Sequence, residues 1–318
     1  MKKIGIRNSF LYVLFFFVAS CIGTKNNKNR VPVSSNPKEV TAIEMDKSKE
    51  ETTLFKLSPN GTKWVDSIYN SMSLDEKLGQ LFMVAAYSNK DANHINAIDK
   101  LITENKIGGL IFFQGGPIRQ AKLANRYQSK SKLPLFVGND AEWGLSMRLD
   151  STYSYPYNMT LGAVQDMNLI QKVGEQIGDQ SKRLGLQFNF APVLDINTNP
   201  NNPIIGFRSF GEDKYNVSQR AIALLSGVQS KGVFATGKHF PGHGDTETDS
   251  HKGLPTVHFS KDRLEIMEFF PYRKAFEAGL SSVMVAHLNV PVAAHEPPEV
   301  HGGGPDVPAE RAVVRRAP

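Results

Sequence analysis

Lys238-His239-Phe240-Pro241-Gly242-His243-Gly244-Asp245-Thr246-Glu247-Thr248-Asp249-Ser250-His251 is the stretch whose reading decides the fold. Three histidines, three carboxylates and a lysine share it with Pro241, Gly242 and Gly244, which break any helix, so it reads as a shaped loop. Just upstream, residues 232–236 are short, apolar and partly β-branched, the pattern of a buried strand. Titratable groups therefore leave the C-terminal end of a strand, where parallel α/β folds carry their chemistry. His239, His243 and His251 could in principle supply imidazoles to a metal, but their spacing matches no helix-borne metal motif and Pro-Gly separates the first two. No metal is expected.

Working outward, apolar runs at 80–86, 107–113, 135–138, 187–193, 232–236 and 281–286 read as strands. Helical spacing fills the intervals at 64–72, 93–104, 118–129, 169–184, 215–231 and 260–278, and Ser73-Leu74-Asp75-Glu76 is a capping box that starts a short helix ending at Gly79. Alternation of this kind predicts βα units and a parallel sheet, either doubly wound or a (β/α)8 TIM-type barrel. Asp140, Asp195, Lys238-His239 and His287 each close a different strand, and polar groups spread over so many strand ends favour the barrel over a sheet with one switch point.

The expected barrel is incomplete, with about six of eight βα units, because the pattern ends near Pro291. From Val292 to Pro318 there is no aromatic residue, lysine or isoleucine, which predicts a non-native-looking disordered tail over 292–318 and a chain truncated or frame-shifted after about residue 291.

Of the 318 residues, 40% are hydrophobic, enough for a sizeable core. The formal charge of +6 is partly terminal, and no basic stripe with interleaved aromatics lies in the folded region, which argues against nucleic acid as a partner. The single cysteine, Cys21, follows a basic start (residues 1–7) and an apolar run (10–18) too short to span a membrane comfortably. Val18-Ala19-Ser20-Cys21 resembles a bacterial lipoprotein processing box. The expected organisation is a lipoprotein signal peptide over 1–21, lipidation at Cys21, a flexible tether over 22–53 and the barrel over 54–291. Such a chain would be lipid-anchored in the cell envelope, periplasmic or outer-membrane associated in a Gram-negative bacterium.

The Lys238–His251 stretch also resembles the signature of glycoside hydrolase family 3, and Asp249-Ser250-His251 resembles its β-N-acetylglucosaminidase branch. The resemblance implies the barrel and hydrolysis of terminal β-linked N-acetylglucosamine from cell-wall or related glycans, with no cofactor. By the same resemblance His251 is the catalytic acid/base and Asp249 orients it, a role suited to an imidazole that titrates near neutrality. Asp140 and Arg148 lie in a segment, Gly138-Asn139-Asp140-Ala141-Glu142-Trp143-Gly144 and onward, that resembles the family's strand-three sugar-binding loop. Arg208, in Ile205-Gly206-Phe207-Arg208-Ser209-Phe210-Gly211, and the pair Lys238 and His239 likewise resemble its sugar ligands.

Asp195 reads as a ligand or as a structural acceptor, and Trp143 as a stacking or a packing residue. His94 and His258 read as surface residues. The family's nucleophile, an aspartate on the strand-seven loop, has no counterpart here: Asp306 ends no readable strand. A catalytically dead sugar-binding remnant is therefore one alternative; a β-glucosidase of the same family, in which Asp249-Ser250-His251 is only a loop and a carboxylate transfers the proton, is the other, and an intact version would carry a possible C-terminal domain.

Overall fold

The structure is a computed structural model that describes residues 58–247 and 254–294. Six strands form one sheet: β1 (Met83–Tyr87), β2 (Gly109–Phe113), β3 (Phe136–Asn139), β4 (Phe188–Asn189), β5 (Phe234–Phe240) and β6 (Ser282–Val285). Neighbours pair in chain order, and every pair is parallel. An order that never reverses is that of a barrel wall, whereas a doubly wound sheet reverses at its switch point. The wall is not closed among the described residues. There β1 and β6 each have one neighbour, and Leu81, Phe82 and Val285 are exposed near these two edges.

The helices are α1 (Pro59–Ser71), α2 (Leu74–Gly79), α3 (Ala92–Thr103), α4 (Pro117–Lys130), α5 (Asn158–Gly162), α6 (Met167–Arg183), α7 (Lys214–Ser230), α8 (Lys261–Arg263) and α9 (Phe269–Glu277). The capping box is present as expected: Ser73 Oγ accepts from the Glu76 N–H, and the Glu76 carboxylate accepts from the Ser73 N–H. Ala221, Leu224, Leu225 and Val228 of α7 are all buried, so this stripe is core. Where α6 meets α7, Gly174 and Gly227 face each other so closely that an added methyl on either would stand 2.2 or 2.1 Å from a carbonyl oxygen of the other helix. That approach brings two long helices together behind β4 and β5, which carry half of the site.

Five expectations need correction. β1 begins at Met83, not at 80, because Gln80, Leu81 and Phe82 turn off the end of α2. β4 is regular only at Phe188–Asn189; Pro192 cannot donate to the ladder, and the chain beyond it makes a single bridge, Val193 to Lys238. β5 runs on to Phe240, so Lys238 and His239 are strand residues and the loop starts at Pro241, which has no N–H to extend the ladder.

The helix expected over 260–278 is broken by a wider π-helical turn, Leu264–Glu268, between α8 and α9. Pro271 offers no N–H to the Met267 carbonyl, so the regular ladder is already interrupted there. His94 is half-buried, and its Nε2 accepts the Tyr87 N–H at 3.0 Å, fastening the end of β1. His258 is exposed, as expected.

Cys21, Asp249, His251 and Asp306 lie outside the described residues, as do the proposed signal, the tether and most of the 292–318 segment. Among the described residues no helix is long and apolar enough to cross a membrane.

Candidate active site

The site is built from the C-terminal ends of β3, β4 and β5. β3 delivers Asp140 and Glu142, two carboxylates that are 7% and 0% exposed. Burying two anions side by side is costly unless cations meet them, and three do. Lys238, from β5 and 2% exposed, places Nζ 2.9 Å from Asp140 Oδ1 and 2.7 Å from Glu142 Oε1. Arg148 Nη2 donates to Asp140 Oδ2 at 2.5 Å, and its guanidinium lies over the Phe113 ring at 4.6 Å. Arg208, in the turn after β4, grips Glu142 with two prongs, Nη2 to Oε1 at 2.7 Å and Nε to Oε2 at 3.0 Å.

This pairing sets the protonation states. Burial pushes the Glu142 carboxyl up, but the Lys238 charge and the Arg208 hydrogen bonds outweigh it and hold the pKa at about 2. For Asp140, burial is likewise opposed by Lys238 and then Arg148, and the result lies below the usual carboxylate range. Both groups are therefore ionised acceptors at neutral pH.

A second cluster stands beside the first. Asp195, 1% exposed, accepts the backbone N–H groups of His239 (3.2 Å) and His243 (2.7 Å) and pairs with His239 Nδ1 at 2.6 Å. Burial raises its pKa, but the His239 charge and these hydrogen bonds overcome the penalty, and the net shift is downward. Between ligand and structural acceptor, the geometry gives Asp195 the structural role: its oxygens are taken up by the protein. With Nδ1 so engaged, His239 turns Nε2 toward Arg208, 3.5 Å away.

His243 is buried, its Nδ1 2.5 Å from Thr246 Oγ1, and burial lowers its pKa, so the ring is neutral. Its carbonyl accepts from Asn202 Nδ2 at 2.8 Å. At Gly244 a methyl would stand 1.7 Å from the Ile196 carbonyl oxygen; only glycine lets the loop lie this close.

All five sugar-binding candidates, Asp140, Arg148, Arg208, Lys238 and His239, thus converge. The catalytic candidates Asp249 and His251 fall outside the described residues; the loop is described to Glu247 and again from Leu254. Among the described residues no group of three or more His, Cys, Asp or Glu side chains is arranged to hold a metal ion. Sequence reasoning missed Glu142 as a member of the site. Its only signal was its place two residues after Asp140, since its partner Arg208 lies 66 residues away.

Residues 73–302 match the model of the glycosyl hydrolase family 3 N-terminal domain. The chain belongs to glycosyl hydrolase family 3. Among curated members it is 36% identical over 208 residues to β-hexosaminidase A of Pseudoalteromonas piscicida, a match covering 61% of this chain and 35% of that protein. It is 30% identical to a β-N-acetylglucosaminidase/β-glucosidase of Cellulomonas fimi, over 74% of this chain and 41% of that one. The chain thus spans well under half the length of these two relatives. Among solved structures, a family 3 β-N-acetylglucosaminidase from Paenibacillus sp. str. FPU-7 superposes with a TM-score of 0.65 at 39% identity, covering 71% of this chain and 44% of its own. The family 3 barrel expected from the loop signature is therefore the fold found, with the wall open among the described residues.

Proposed function

We propose that the chain binds a terminal β-linked N-acetylglucosamine unit and serves its hydrolytic release, as a β-N-acetylhexosaminidase of family 3. The observation that carries this is Asp140: a buried, ionised carboxylate at a strand end, held by Lys238 and Arg148, with the Glu142–Arg208 pair beside it. Such a carboxylate takes paired hydrogen bonds from adjacent sugar hydroxyls without the reorganisation a mobile side chain would need. The names of the similar proteins support the amino-sugar class. In the proposed chemistry His251 protonates the glycosidic oxygen and then takes a proton from the attacking water, while Asp249 orients the imidazole.

Titration of the purified chain with N-acetylglucosamine and with glucose tests the binding half. The amino sugar is expected to bind more tightly, and Asp140→Asn to cost at least about tenfold in affinity. Glucose binding equally well, with no loss on Asp140→Asn, would sink it. Paired hydrolysis assays on an aryl N-acetylglucosaminide and an aryl glucoside test the chemistry. The former is expected to be preferred, and His251→Ala to cost about a hundredfold or more. A glucoside preference untouched by that substitution would favour the β-glucosidase alternative, and binding without turnover the sugar-binding remnant.

The basic and apolar run ending in Cys21 supports export and lipid anchorage in the cell envelope, where cell-wall glycan fragments are the nearest substrates. Cys21→Ser is expected to move the protein from the membrane fraction to the soluble one. No change in partitioning would remove the anchor.

A further inference from the structure

We propose that Tyr157 and Phe207, backed by Trp143, form an aromatic platform at the rim of the site that takes the second sugar ring of the glycan, so that the substrate is an oligosaccharide. This rests on the sugar-binding reading of the Asp140 pocket and adds a neighbouring subsite to it. The three rings come from three separate segments. Trp143 directly follows Glu142, Tyr157 immediately precedes α5, and Phe207 directly precedes Arg208. Tyr157 and Phe207 have centroids 4.6 Å apart; Trp143 meets Tyr157 edge-on at 4.8 Å and Phe207 at 6.2 Å.

Exposure divides their roles. Tyr157 is 46% and Phe207 53% exposed, whereas Trp143 is half-buried behind them. Trp143 therefore packs, and the two outer rings present apolar surface to solvent.

One exposed aromatic side chain is ordinary; a pair in which Phe207 adjoins Arg208 in the chain and Tyr157 rests on Trp143, the residue after Glu142, is not. Its backbone is fixed as well: Asn158 Nδ2 donates to the Arg208 carbonyl at 2.7 Å, and the Tyr155 N–H to the Trp143 carbonyl at 3.0 Å. A platform held this way loses little entropy when a ligand lands on it. The occupant is a pyranose ring because the exposed surface is only two rings wide and is tied, through Phe207–Arg208 and Trp143–Glu142, to the charged cluster that the sugar reading assigns to hydroxyl groups. A sugar has one face of C–H groups to lay on aromatic carbon while its hydroxyl edges stay in water.

The test is calorimetric titration of the full chain with N-acetylglucosamine and with sulfur-linked N,N′-diacetylchitobiose, which resists cleavage. The disaccharide is expected to bind about fivefold to tenfold more tightly, and Phe207→Ala to bring the ratio of the two constants close to one. Tyr157→Leu, on a different segment, is expected to act in the same direction and guards against a local folding defect. The chain has two tryptophans, so in Trp64→Phe the indole emission reports Trp143 alone, and it should shift with the disaccharide more than with the monosaccharide.

Equal affinities in the unmodified chain, or a ratio that survives both substitutions, would overturn the platform while leaving the pocket intact. Failure of both ligands to bind would instead remove the sugar reading and the platform with it. An alkyl N-acetylglucosaminide gaining as much as the disaccharide would replace the second sugar by an apolar tail and overturn the oligosaccharide assignment.

Discussion

Lys238→Met is expected to destabilise the fold by about 3–5 kcal/mol at pH 7, the range for removing one partner from a buried ion pair. Methionine matches the aliphatic stem but leaves Asp140 and Glu142, both buried and ionised, without the ammonium that lies between them. Arg148 and Arg208 stay on their own carboxylates, so the loss belongs to the shared cation and not to the whole network.

The pH dependence identifies the cause. Glu142 titrates at about 2 in the fold against an ordinary value of 4.5, so its stabilisation is present above about pH 4.5 and is lost as the pH falls toward 2. Asp140 is shifted in the same direction. Without Lys238 there is less to lose, and the gap between the variant and the unmodified chain should narrow on acidification. Urea unfolding at pH 7 and pH 3 measures this; a gap of the same size at both would mean that the lysine acts by packing. The variant is also expected to lose N-acetylglucosamine binding, because Asp140 would no longer be held.

Glu268→Gln is expected to do the opposite and stabilise the protein, by up to about 3 kcal/mol above pH 7. Glu268 is 2% exposed, in the π-helical turn, and its carboxylate packs on Gly242, where a methyl would stand 2.5 Å from Oε2. Burial drives its pKa up to about 7. Arg263, 3.4 Å away, opposes this only in part, and Asp195 and Asp245 push it higher, with the buried Tyr272 hydroxyl nearby.

The folded-state pKa is above the ordinary 4.5, so the contribution to stability is fully present below about pH 4.5 and is lost as the pH rises through 7. Glutamine, neutral throughout, should match glutamate in acid and exceed it in base. Thermal melts at pH 4.5 and pH 8 separate the outcomes. A variant no more stable at pH 8 would mean that the Arg263 pair outweighs burial. Arg263 also reaches Asp245 at 3.5 Å and Thr198 Oγ1 at 3.4 Å, so the charge on Glu268 bears on how firmly the start of the Pro241–Glu247 segment is held.

The network that both substitutions probe was only half visible beforehand. The alternation of strands and helices followed from periodicity, because apolar spacing records which side of an element is buried, and the capping box followed from its Ser73–Glu76 spacing. The site was found where a loop signature and several strand-end residues coincided. Glu142 was missed because its importance lies in two cations supplied by β5 and by the turn after β4, and neither is near it in the chain. His94 was misread for a related reason. An acceptor that ties a helix to the end of β1 looks, in one dimension, like any loop-edge histidine. The length of β5 was misjudged because Pro241, Gly242 and Gly244 marked the whole stretch from Lys238 as loop, while the strand runs on to Phe240 and packing buries Lys238 against carboxylates from β3.

What the sequence determined by itself is the alternation of strands and helices, the family and the five residues expected to meet a sugar. These are local patterns, and local patterns are written in order along the chain. What the tertiary structure decided is which charges neutralise one another, that Asp195 serves the fold while Asp140 is held between Lys238 and Arg148, and that Trp143 packs while Tyr157 and Phe207 stay exposed. Those outcomes depend on distances between distant segments, and the energy of a buried charge or ring is set by what lies a few ångströms away in space.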